Sequence, residues 1–152
     1  MSWLDLVAPQ LLARICLVCL FPFSGIDKII NWDEALAQAK SSVLPGGAVL
    51  VVIGMAIEFV TPVMIVIGWH DRLAAFALAG FCVVTALLYH RFWAFGDFWA
   101  KAKSQGREHF WEFLKNFCVA GGLGLLIIGQ QWAPASSVLR DPLSSAPFSA
   151  TP

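Results

Sequence analysis

Charge is scarce in this 152-residue sequence: 13% of its side chains are charged, while 59% are hydrophobic. Soluble domains average about a quarter charged and about half apolar, so an ordinary soluble globule is excluded. Disorder is excluded too, because it requires low hydrophobicity and high net charge. Ten basic and ten acidic residues cancel, which leaves no basic field for nucleic acid and no acidic tail. There is no internal repeat. A signal peptide is not expected either, since Asp5 is the only charge before Arg14 and no small-x-small cleavage site follows. Leu17-Val18-Cys19 lacks the small residue that lipoprotein cleavage needs before its cysteine, so the first segment is expected to stay in the mature chain.

What the sequence does have is long apolar runs. A membrane-spanning helix needs about 20 mostly apolar residues. Four segments meet that length, at about residues 10–32, 47–69, 73–93 and 110–132. Spanning strands are excluded, because an open sheet leaves backbone groups unsatisfied in lipid. The predicted fold class is therefore all-α, a four-helix transmembrane bundle in one domain over 1–133, with a flexible Pro/Ser-rich tail at 134–152. Residues 31–46 read as a polar loop, and residues 94–109, which mix aromatic with basic side chains, as a short interfacial helix between helices 3 and 4. Pro22 and Pro62 should kink the first two spans. Small-residue faces at Ala75, Ala79 and Gly80, and at Gly121, Gly122, Gly124 and Gly129, should let helices approach closely.

An even number of crossings puts both termini on one side. Trp3, Trp69 and Trp132 mark that interface, and Trp32, Trp93, Trp99 and Trp111 the other. The terminal side carries Arg14, Arg72 and Arg140; the opposite side carries Lys28, Lys40, Arg91, Lys101, Lys103, Arg107 and Lys115. Seven cations against three predict that the second side is cytoplasmic and both termini lie outside, in a cell inner (plasma) membrane.

Polar residues inside such spans need a reason, because a mid-membrane charge costs several kcal/mol. Glu58 sits about 11 residues into the second helix, roughly 16 Å deep. It must be protonated, paired or facing a watery cavity. A neutral carboxyl tying two helices together and a functional carboxyl both fit. Possible partners converge from the cytoplasmic side, where Lys28, His90, Asn116 and Lys115 bring polar groups from the other three helices to similar depth, with Glu58 below them. Snorkelling alone accounts for Lys28 and Lys115, whereas an amide as deep as Asn116 wants a protein partner. At the opposite interface, snorkelling also suffices for Arg14 and Arg72, though Arg14 could pair with a carboxylate. Cys16-x-x-Cys19, Cys82 and Cys118 read as small buried hydrophobes. No metal or haem site is expected: there is no C-x-x-C-H, and His70, His90 and His109 include no pair at matched depth on facing helices.

Arg14, the run Phe21-Pro22-Phe23-Ser24-Gly25-Ile26-Asp27-Lys28, Gly54-x-x-x-Glu58, Arg72, His90-Arg91-Phe92-Trp93, and Phe113-Leu114-Lys115-Asn116 followed by Gly121-Gly122-Leu123 together resemble the DoxX family over about residues 10–130. The resemblance implies a four-helix membrane protein associated with quinol oxidation or thiosulfate:quinone oxidoreduction. It marks Arg14, Lys28, Glu58, Arg72, His90 and Asn116 as the positions to examine. The expected function is a quinone-associated subunit of a membrane redox complex, partnered by the bilayer and by other membrane or soluble subunits. Glu58 and His90 would exchange protons, with Asn116 and Lys28 or Lys115 as orienting donors. Two alternatives stand beside it: a non-catalytic scaffold or partner-docking subunit, and thiol oxidation through Cys16 and Cys19.

Overall fold

The computed structural model describes residues 3–128, with side chains from residue 8 onward. Six α-helices follow in chain order: α1 Trp3–Val18, α2 Leu20–Ile30, α3 Trp32–Lys40, α4 Ala48–Ile67, α5 Asp71–Tyr89 and α6 Gln105–Ile128. A single 3-10 turn, Phe92–Ala94, lies between α5 and α6. No strand occurs among the described residues. Four helical stretches are long and apolar enough to cross a membrane: Ala8–Ile30, Ala48–Ile67, Asp71–Ala94 and Gln105–Ile128. The all-α, four-span architecture expected from the sequence is the one observed. Trp132, Gly129, Arg140, the tail at 134–152 and the side chain of Trp3 lie outside the described residues.

The first span is broken, and the break has a chemical cause. Pro22 has no N–H, so the Val18 carbonyl loses its helical donor. The helix is interrupted at Cys19, whose N–H still donates to the Ile15 carbonyl at 2.9 Å. The interruption is a single residue and the chain does not unwind there. Pro62 likewise removes a donor inside α4, leaving the backbone carbonyl of Glu58 without its helical partner, but α4 runs unbroken from Ala48 to Ile67.

Two connections differ from expectation. Residues 32–40 are not loop but helix α3, with Asp33 and Glu34 in its first turn and Lys40 in its last, matching the helix dipole. Its polar composition hid it; Ala39 is buried where α3 packs on α4. Residues 94–109 do not form a continuous interfacial helix. After the 3-10 turn the chain folds back through turns, and α6 starts at Gln105 rather than near residue 110. The Asp97 carboxylate causes this by accepting from the N–H groups of Gln105 and Gly106 at 2.8 and 2.9 Å. Those bonds hold the Asp97 carboxyl below its ordinary titration range, the Gly106 N–H first among them. Ser104 Oγ accepts from the Arg107 N–H at 3.1 Å, and the Arg107 guanidinium donates to the carbonyls of Phe98, Ala100 and Ala102. Phe92 closes the corner among Trp93, Phe98, Phe110 and Phe113.

The helices pack in the order α2, α4, α5, α6, and α1 touches both α4 and α6. The apolar core lies towards the Arg14 end, built from Val18, Phe21, Ile65, Ala75, Leu78, Cys82 and Leu123. Small residues act as expected at Ala75, which is fully buried, and at Gly122, where an added Cβ would lie 2.9 Å from Leu17. Gly80, Gly121 and Gly124 face open space instead. Towards the other end, α2 and α6 share no packed interface among the described residues. The bundle is splayed there.

Candidate functional site

The splayed end holds a half-open cavity of about 830 Å³ bounded by α2, α3, α4, α5 and α6. Glu58 reaches it from α4 and is 3% exposed. Its partner comes from α2: Lys28 Nζ donates to Oε1 at 2.8 Å and to Oε2 at 3.0 Å. Ser24, one helical turn before Lys28, accepts from Nζ at 2.7 Å and donates its hydroxyl to Glu58 Oε1 at 3.0 Å. The three side chains close on one another. Gly25 makes this approach feasible, since a Cβ there would lie 2.7 Å from the ring of Phe59 on α4.

Of the three states open to Glu58, the structure selects pairing. Lys28 does not snorkel away from the bundle; it turns in to the carboxylate and is only 25% exposed. A buried pair of this kind is weak evidence for stability, because removing both charges from water offsets most of their attraction. The rest of the wall is largely apolar and includes Phe21, Leu50, Ile57, Phe81 and Val84, with Tyr89 and His90 near the end of α5.

His90 caps the C-terminus of α5 and lines the cavity. Its Nδ1 lies 3.5 Å from Nδ1 of His109 on α6, and Phe95 stacks on His109 at 4.8 Å. This corrects the expectation that no two histidines meet at matched depth. The apolar runs place His109 in a connection, and the early start of α6 moves it onto a helix facing α5.

Asn116 also lines the cavity, but its amide donates to the Glu112 carbonyl of its own helix at 2.9 Å and does not touch Glu58. Lys115 lies outside the cavity wall, largely exposed, and pairs with Glu112 at the surface. Arg14 and Arg72 are at the opposite end. Arg14 bonds Asp71 at 2.7 Å and the Ile65 carbonyl at 2.6 Å, tying α1 to α4 and α5. The side chain of Arg72 is exposed near that turn. Thus Lys28 and Glu58 are joined, His90 and Asn116 share their cavity, and Lys115, Arg14 and Arg72 stand apart.

Sequence reasoning missed Ser24, His109 and Glu112. Ser24 had a signal, since its spacing of four from Lys28 puts both on one helix face. His109-x-x-Glu112 carries a similar signal at a spacing of three.

The DoxX family pattern matches residues 10–91, which covers the first three spans with Lys28, Glu58 and His90. The chain is similar to inner membrane protein YphA of Escherichia coli, at 28% identity over 118 residues, covering 78% of this chain and 80% of that protein. It is also similar to inner membrane protein YqjF of Escherichia coli, at 30% identity over 118 residues, covering 78% of this chain and 81% of that protein. No solved structure matches the chain.

Proposed function

The chain belongs to the DoxX family of integral membrane proteins, and from that premise we propose that it is a quinone-associated subunit of a membrane redox complex. The observation that carries this reading is the Lys28–Glu58 pair, its carboxylate buried, in the wall of a cavity whose lining is apolar along α4 and α5 and polar along α2, α3 and α6. Its volume falls within the roughly 300–1,000 Å³ of ordinary small-molecule sites. The donor set fits a quinone headgroup. Lys28 and Ser24 offer N–H and O–H donors to a ring carbonyl, Glu58 offers an acceptor to a ring hydroxyl, and the apolar wall suits the ring and the start of its tail. Quinone, when bound, carries electrons and protons between partner proteins.

The chain's own residues bind, orient and move protons. The ammonium of Lys28 holds the Glu58 carboxylate in place, and a headgroup that takes one donor from Lys28 leaves the carboxylate free to accept a proton. His90, at the end of α5, exchanges protons between that interior and the aqueous edge. Both relatives are named inner membrane proteins, which supports the same membrane here, and the cation asymmetry supports a cytoplasmic cavity end with both termini outside.

The test is quinone content per protein, by mass spectrometry, after mild purification into native lipid discs. Wild type should retain quinone. Glu58→Gln and His90→Ala should retain less, by at least ~1 kcal/mol of binding, the scale of one buried hydrogen bond. Cys16→Ser/Cys19→Ser should retain as much as wild type. Quinone-free wild type, or undiminished binding in both site variants, would overturn the reading and leave a scaffold that docks other subunits.

A further inference from the structure

We infer that His90, His109 and Glu112 form a binding site for a divalent first-row transition metal ion, zinc being the best match. The two imidazoles come from different helices and present the same nitrogen to each other, Nδ1 to Nδ1 at 3.5 Å. Two nitrogens bound tetrahedrally at about 2.0–2.1 Å lie roughly 3.3–3.4 Å apart, so the observed spacing needs only a small adjustment to grip an ion. A neutral pair can share one hydrogen at that distance; a metal takes its place and both lone pairs become donors. The His109 ring is already oriented, because Phe95 stacks on it with an interplanar angle of 13°. Supported ligands of that kind bind better than free ones, since less freedom is lost.

Glu112 supplies the third donor. It follows His109 by three residues on α6, hence on the same helix face, and it shares the cavity wall with His90. At present it pairs with Lys115, so no three ligating side chains converge among the described residues. That pair is exposed on both sides, at 63% and 47%, and exposed pairs contribute at most about 1 kcal/mol. A divalent cation between the two imidazoles competes for the carboxylate with charge and coordination together. Two nitrogens and one oxygen leave a fourth position for water, a donor set that suits zinc and its spectroscopic substitute cobalt. The bound ion would tie the end of α5 to the first turns of α6 and, while bound, would take His90 out of the proton exchange proposed above.

The test uses the untagged full-length chain in detergent with Co²⁺ or Zn²⁺ as the only addition. Wild type should bind one equivalent of Co²⁺ with the visible absorption of a tetrahedral site, and Zn²⁺ should displace it. His90→Ala and His109→Phe, the latter keeping an aromatic ring against Phe95, should each weaken Zn²⁺ binding more than ~10-fold, the least that loss of even a supporting partner costs at metal sites. Glu112→Gln should weaken it as well, and His70→Ala, at the other end of the bundle, should not. His109→Phe decides the matter alone if His90→Ala does not fold. Absence of the cobalt spectrum, or wild-type affinity in His109→Phe, would overturn the site; wild-type affinity in Glu112→Gln would overturn the three-donor set.

Discussion

The same four spans make two different ends. Towards Arg14 they close on Val18, Ile65, Leu78 and Leu123, and α1 touches both α4 and α6. Towards Lys28 they part, α2 holds to α4 but not to α6, and a cavity takes the place of a core. The break in the first span at Cys19, set by Pro22, lies between these two regimes. Each end also has an ion pair between helices that are far apart in sequence. Arg14–Asp71 is part-exposed on both partners and latches helix ends together; Lys28–Glu58 is deep on its acidic side and faces the cavity. The lesson is that one end of the bundle is closed by a core while the other is opened by a cavity.

The first way to break this comparison is all-or-none. With the native cysteines replaced, Ala102→Cys should be shielded from an impermeant thiol reagent added outside the cell, and Ser136→Cys should react. Ala102 is exposed on the connection at the cavity end, so burial would not explain its silence. The reverse pattern would put the cavity at the outer face.

Next in size is Glu58→Lys, which sets two ammonium groups against each other where the structure has a pair. Disrupting a buried pair costs about 3–5 kcal/mol, so folded yield and thermal stability should fall sharply. Wild-type stability in this variant would mean that the position is wetter than its burial indicates. At the packed end, Leu78→Ala removes a fully buried side chain and should cost about 2–5 kcal/mol, read by thermal unfolding, while cavity ligands still bind. If that variant loses ligand binding as well, the two ends are not independent.

The smallest effect concerns the corner that starts α6. The Asp97 carboxyl is held below its ordinary value near 3.8, so its stabilising contribution is present above that value and is lost as the pH falls through the lower, folded one. Asp97→Asn should speed amide hydrogen exchange at Gln105 and Gly106 near neutral pH, with the difference from wild type shrinking in acid. No difference at neutral pH would remove Asp97 from the capping role.

Much of this was legible in the residues. The spans are visible because long apolar runs have no other economical use, and Glu58 is visible because it is the only charge in its run. Lys28 was legible as a possible partner, but snorkelling accounted for it equally, and its inward turn depends on Gly25 letting α2 approach Phe59. The rest was hidden by interactions between residues distant in sequence. Asp97 reaches eight residues ahead to start α6, which no helical periodicity reveals, and that shift is what carries His109 to His90. Helix α3 was hidden by reading polarity as loop. Asn116 and Lys115 are neighbours that point to different surroundings, and spacing alone could not say which faced the cavity.

The most direct measurement is the thermal shift given by a short-tailed benzoquinone, compared between wild type and Lys28→Met/Glu58→Leu in lipid discs. Exchanging both charges for apolar groups of similar size leaves no unpaired charge, so basal stability should change little. A ligand that binds only the folded form raises stability by about 2.7 kcal/mol at a hundred times its Kd. Wild type should therefore gain thermal stability with added benzoquinone, and the double variant should gain none. An equal gain in both, or no gain in wild type, would contradict the claim that the Lys28–Glu58 end is the receiving end of the bundle.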